Sequence, residues 1–175
     1  MPAPVICAIL IVIFKELMRR ERKNAMAYKV LAVGDTVGSP GLEYIRRQLR
    51  AIRRELGADF VCITLGNHTW TRWELQPYLD EEPRVIRPAN FAPQCPGRGM
   101  AEFDTPAGIV TVINLQGRFT LDSNTDNPFL TVDSLLEAAR GSIILVDFHA
   151  EATSEKAAMG YYLDGRVSAV WGTHT

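Results

Sequence analysis

A single α/β domain is the fold class this sequence predicts. Three observations carry the prediction. Apolar runs of strand length end, one after another, in polar clusters; two of them are joined by an amphipathic helical pattern, the βαβ arrangement; and 175 residues that are 47% hydrophobic and 22% charged match one globular domain with material for a core. The formal net charge of −1 supplies no basic field, so extended nucleic acid is not an expected partner. Cys7, Cys62 and Cys95 are odd in number, widely spaced and without a CxxC pair, which argues against a disulfide framework or a zinc ribbon and fits a reducing cytoplasm.

The chain opens on an apolar run, Val5 to Phe14, followed by Lys15, Arg19, Arg20, Arg22 and Lys23. A bilayer-spanning helix needs about 20 apolar residues, so no membrane span is expected. A signal peptide carries its positive charge before the apolar region, and here the order is reversed. The readings left are an interfacial or partner-binding helix, or an extension lying outside the domain. The second is preferred, because a self-contained pattern begins after Met26: residues 1–25 form the extension and residues 26–175 the domain.

Lys29 to Val33 is a strand-length run that ends in Gly34-Asp35-Thr36-Val37-Gly38. After Pro40 and Gly41, Leu42, Ile45, Leu49, Ile52 and Leu56 recur at helical spacing with arginines on the other face. Gly57 closes that helix, and Phe60 to Leu65 predicts a second buried strand leading into Gly66-Asn67-His68-Thr69-Trp70. Pro83 to Gly99 reads as a connector. Ile109 to Leu115 is a strand, Leu130 to Arg140 a helix, Ser142 to Val146 a strand ending in Asp147-Phe148-His149-Ala150-Glu151. Ser154 to Tyr162 is a helix, Asp164-Gly165 a turn, and Val167 to Trp171 a last strand that runs into Gly172-Thr173-His174. In open α/β sheets the carboxyl ends of the strands are where ligands bind.

All three histidines, His68, His149 and His174, fall at such ends, together with Asp35 and Asn67. Imidazole nitrogens with a carboxylate and an amide oxygen form a ligand set suited to Zn, Fe, Mn or Ni, rather than to a copper thiolate site or a calcium cage. Metal-assisted chemistry is the leading reading.

The segments GDTVGSPG, GNHTW, RPANF, INLQGR, DFHAEATSEK, GYYLDGR and VWGTHT resemble the YmdB-type metallophosphoesterases of the calcineurin-like superfamily, over Met26 to Thr175. The resemblance implies an α/β/β/α sandwich with a dinuclear centre of Fe, Mn or Zn at the strand ends. It implies hydrolysis of a small phosphodiester, a 2',3'-cyclic nucleotide, by metal-activated water. Asp35 then ligates the first metal, Asn67, His149 and His174 the second, and His68 contacts the phosphate or protonates the leaving oxygen.

Two departures qualify the resemblance. Family members carry a Gly-Glu-Asn segment and a helix before the strand that leads into GNHTW; here Asp59-Phe60-Val61 passes directly into Cys62-Ile63-Thr64-Leu65, and the bridging glutamate is missing with it. Members also continue beyond the last motif with a second histidine and further strands, whereas this sequence stops after Thr175. The expectation is therefore an incomplete sandwich, one metal in place of two, and a sheet edge inclined to homo-oligomer formation. The alternative function is a shortened homologue, weak or inactive, that retains a metal or phosphate pocket or serves as an interaction domain. Glu151 and Glu155 read as a solvated helix start ahead of metal-linked groups, Trp70, Trp73 and Phe91 as packing anchors ahead of base-stacking residues, Cys62 as core, and Arg118 equally as a phosphate contact or a surface ion pair.

Overall fold

The computed structural model describes residues 8–14, 28–35, 38–70, 76–121 and 124–174. Two four-stranded sheets stack face to face. The first runs in the order β1 (Ala8–Phe14), β2 (Tyr28–Gly34), β3 (Phe60–Thr64), β4 (Val85–Ile86); the second runs β5 (Met100–Thr105), β6 (Gly108–Gln116), β7 (Ile143–Ala150), β8 (Ala169–His174). Pairing is parallel within β2-β3-β4 and within β6-β7-β8, and antiparallel for β1 on β2 and β5 on β6. Helices α1 (Gly38–Leu56) and α2 (Gln76–Glu81) cover the outer face of the first sheet, and α3 (Pro128–Ala138) and α4 (Thr153–Leu163) that of the second. The α/β/β/α sandwich that the resemblance implies is the fold observed.

Strand alternation builds its layers. Val30 and Ala32 of β2, Phe60 and Cys62 of β3, Val110 and Val112 of β6, and Ile143 and Leu145 of β7 meet between the sheets. The intervening residues face helices: Leu31, Val33, Val61 and Ile63 against Ile45 of α1 and Leu79 of α2, and Ile113, Val146 and Phe148 against Val132, Met159 and Leu163 of α3 and α4. The inward set of β7 continues beyond Leu145 as Asp147 and His149, both fully buried. Burial pushes the Cys62 thiol up to about 12, as befits a core side chain. The RPANF run is a structural clasp: buried Arg87 donates to the carbonyls of Pro88, Cys95 and Pro96, and Asn90 donates to those of Gln116 and Asp126.

Three differences from the sequence reading stand out. Ala8–Phe14, placed outside the domain, is instead strand β1, paired along its length from Ala8 opposite Gly34 to Phe14 opposite Tyr28. Docking there satisfies the edge of β2, whose backbone groups would otherwise lie open; residues 1–7 and 15–25 lie outside the described residues. Second, β4, β5 and α2 were not expected. Third, β7 extends four residues past Val146, carrying Asp147 and His149 inside the strand. Among the described residues no helix is long and apolar enough to cross a membrane.

Candidate metal centre

The loops after β2 and β3 and the ends of β7 and β8 converge at one end of the sandwich. Asp35 follows β2, Asn67 and His68 open the 3-10 turn Asn67–Trp70 after β3, His149 is the penultimate residue of β7, and His174 ends β8. One ligand atom each from Asp35, His149 and His174 lies within 4.8 Å of the others. Asn67 Oδ1 stands 3.0 Å from His149 Nε2. His68 is half-buried in the same turn and bears electrostatically on both Asp35 and His149. All five residues singled out in the sequence thus meet in one place. They form one cluster, in which Asp35 stands beside the two histidines rather than apart from them.

Hydrogen bonding fixes which atoms face the centre. Thr64 Oγ1 donates to Asp147 Oδ2, and Thr173 Oγ1 donates to Asp147 Oδ1 at 2.9 Å. With Asp147 ionised the hydroxyl proton of Thr173 is thereby committed, and its 3.2 Å contact with His149 Nδ1 then takes the proton from that nitrogen. His149 Nε2 is left with its lone pair beside the amide oxygen of Asn67. Two acceptors facing each other at hydrogen-bond distance repel unless a cation lies with them. His174 repeats the pattern. Its Nε2 lies 2.9 Å from Glu151 Oε2, and its Nδ1 is buried without a partner. Asp35 Oδ1 is likewise buried without a hydrogen bond.

Electrostatics agrees with a ligand set. Burial foremost, then the charges of His174 and His68, push the His149 imidazole down to about 3, so it is neutral with a lone pair available. Burial raises the Asp35 carboxyl against the opposing pull of His174 and His68. Burial pushes the Asp147 carboxyl up to about 7, opposed by the hydroxyls of Thr64 and Thr173. The backbone is strained at two candidate ligand positions: Asp35 has φ 50° and His174 has φ 94°, left-handed values that cost a residue with a Cβ about 1–3 kcal/mol each. Glycines make room. A Cβ on Gly66 would sit 2.2 Å from the His149 ring, and one on Gly34 would sit 2.5 Å from Thr173 Cγ2.

Several contributors escaped the sequence reading. Asp147, Thr64 and Thr173 orient His149; alternation along β7, which puts Asp147 on the face of His149, was the signal for the first. Glu151 pairs with His174 instead of standing free at a helix start. Glu155 accepts from the backbone N–H of Arg118 and Phe119. Trp70 packs edge-on against Phe91 at 5.6 Å, an anchor as expected, and Trp73 lies outside the described residues.

Comparison with known proteins adds an independent line. Residues 61–175 match the family model described as YmdB-like protein. A 2',3'-cyclic-nucleotide 2'-phosphodiesterase of Bacillus subtilis is 39% identical over 84% of this chain and 66% of its own length. The crystal structure of a novel phosphatase from Mycoplasma pneumoniae superposes with a TM-score of 0.71 at 29% identity, over 85% of this chain and 64% of that one. A hypothetical protein from Thermus thermophilus gives 0.69 at 36% identity, over 83% and 67%. The chain spans about two thirds of the length of these relatives.

Proposed function

The chain belongs to the YmdB-like protein family, and from that premise we propose that it is a metal-dependent hydrolase of small phosphodiesters, with 2',3'-cyclic nucleotides as substrates. One observation carries the metal dependence: Asp35 Oδ1 and His174 Nδ1 are buried without a hydrogen bond, Asp35 Oδ1 lying 3.9 Å from Nδ1 of a neutral His149 whose Nε2 faces Asn67 Oδ1. A carboxylate, two imidazoles and an amide oxygen gathered in one cluster fit a transition-metal ion such as Fe, Mn or Zn. The substrate follows from the Bacillus subtilis relative, named for cyclic-nucleotide phosphodiesterase activity.

A bound ion supplies positive charge to the phosphoryl oxygens and acidifies water at the site. The chain's own residues do the rest. Asp35, Asn67, His149 and His174 hold the ion, and Thr173 and Glu151 hold the two imidazoles in their tautomers. His68, half-buried next to Asn67, contacts the phosphate or protonates the leaving oxygen in this reading, as a histidine side chain can.

A second reading, a weak or inactive homologue that keeps the pocket, is favoured by the donor count. Among the described residues one cluster of three His, Cys, Asp or Glu ligands is present, enough for a single cation. Elemental analysis of the metal-loaded chain, with turnover of adenosine 2',3'-cyclic phosphate, decides between the two. One metal per chain with turnover abolished in His149→Ala supports the enzyme; one metal without turnover supports the second reading; no metal at all overturns both.

A further inference from the structure

The centre opens onto a pocket of about 640 Å³ whose walls differ in chemistry. Asn67, Glu151 and His174 form the polar side; Phe119, Leu121 and Ala152 form the apolar side, with Thr120 between. Phe119 is 65% exposed although it belongs to the large aromatic side chains that folding ordinarily covers. Its loop is not slack. Glu155 of α4 accepts from the backbone N–H of Arg118 at 2.9 Å and of Phe119 at 3.4 Å, and Leu121 on the other side is buried. Thr120 has φ 59°, a left-handed value in which a β-branched residue is a clear outlier. Such strain persists only where the surroundings fix the backbone, and here it holds an uncovered phenyl ring at the rim of a ligand site.

We propose that Phe119 is the base-stacking residue of this pocket: the phosphodiester binds at the Asn67 and His174 side while a planar nucleobase lies on the Phe119 ring. The volume falls in the range of small-ligand sites, which pair a mainly apolar wall with a few convergent polar groups. Stacking on an aromatic ring tolerates any base, since each presents a π-face. The residue confers preference for nucleotides over other diesters without selecting among bases. This inference rests on the phosphodiesterase reading and names the substrate part that its metal centre does not touch.

The test compares the full metal-loaded chain with Phe119→Ala and Phe119→Tyr on two substrates: adenosine 2',3'-cyclic phosphate and methyl ribofuranoside 2,3-cyclic phosphate, which lacks the base. Phe119→Ala is expected to raise KM for the nucleotide about tenfold or more relative to KM for the base-less diester, with kcat on the nucleotide little changed and Phe119→Tyr restoring KM. Equal effects on the two substrates, or none, overturn the proposal. Should wild type hydrolyse neither diester, the phosphodiesterase reading fails separately. Calorimetric binding of adenosine 3'-monophosphate against inorganic phosphate then reads the same contrast: tighter nucleotide binding lost in Phe119→Ala upholds stacking, and its retention overturns it.

Discussion

His149 cannot be a metal ligand by identity alone; its proton has to be on the correct nitrogen. Thr173 achieves this by committing its hydroxyl proton to Asp147, which obliges His149 Nδ1 to donate. Thr173→Val keeps the shape and removes the acceptor, so metal affinity should fall about 10- to 100-fold, while Thr173→Ser retains it. Titration calorimetry with Mn²⁺ or Zn²⁺ measures both, and an unchanged Thr173→Val affinity would show that the tautomer is set elsewhere. Protonation supplies a second prediction at this scale, for the metal-free chain. The folded chain holds His149 neutral down to about 3 against an ordinary 6.5, so acidification through that window destabilises it. It holds Asp147 protonated up to about 7 against an ordinary 3.8, so raising the pH through that window destabilises it too. The two slopes oppose each other between about pH 4 and 6.5 and nearly cancel. Asp147→Asn removes one of them. That variant, in chelator, should lose about 1.4 kcal/mol per pH unit on acidification from 6.5, where wild type stays nearly flat. Denaturant titrations across the range check it, and a flat profile for the variant would contradict a buried neutral His149.

At the scale of elements, β1 is the one whose role the sequence obscured. AILIVIF has the composition of a buried strand, but the basic run after it and the clean start of a domain at Met26 suggested a segment apart. Pairing with β2 is non-local chemistry that no window of sequence contains. Deleting residues 1–14 should bare the whole edge of β2, lowering the melting temperature and promoting self-association. Sedimentation velocity and a thermal melt report on both; a monomer melting unchanged would show that β1 contributes nothing. The other missed elements have simple causes. β4 is two residues long, α2 six, and the partly exposed β5 alternates apolar side chains with Glu102 and Asp104. β7 looked shorter than it is because Asp147 and His149 are polar, and polar residues inside a strand core are tolerated only where partners such as Thr64 and Thr173 satisfy them.

For the whole molecule the question is what locks the two sheets in the alignment that brings Asp35 and Asn67 of one half to His149 and His174 of the other. Hydrophobic contact between the layers is non-directional. Asn114, fully buried on β6, supplies direction: its Nδ2 donates to Leu65 O at 2.6 Å and to Ile86 O at 2.9 Å, tying the second sheet to the ends of β3 and β4. Asn114→Ala would orphan the buried carbonyl of Leu65 and strip Ile86 O of one of its two donors, the Leu65 N–H remaining, and should cost about 1–3 kcal/mol. Because the shift is between the layers, metal affinity should fall together with stability, whereas a core change remote from the strand ends, such as Phe60→Leu, should lower stability alone. Paired denaturation and metal titrations separate the two cases.

The sequence by itself determined the layered α/β class, most strand and helix positions, and the ligand candidates, because periodicity and strand-end chemistry are local properties that a run of residues expresses directly. The resemblance of GNHTW and DFHAEATSEK to one family carried the same reading to function. Only the tertiary structure decided that Asp35 shares one cluster with His149 and His174, that Thr173 and Glu151 set their tautomers, that Ala8–Phe14 completes a sheet, and that Phe119 stands uncovered at the pocket. Each of these depends on which groups meet across sheets or across the long stretches of chain between them, and that is fixed by packing geometry and hydrogen-bond satisfaction in three dimensions.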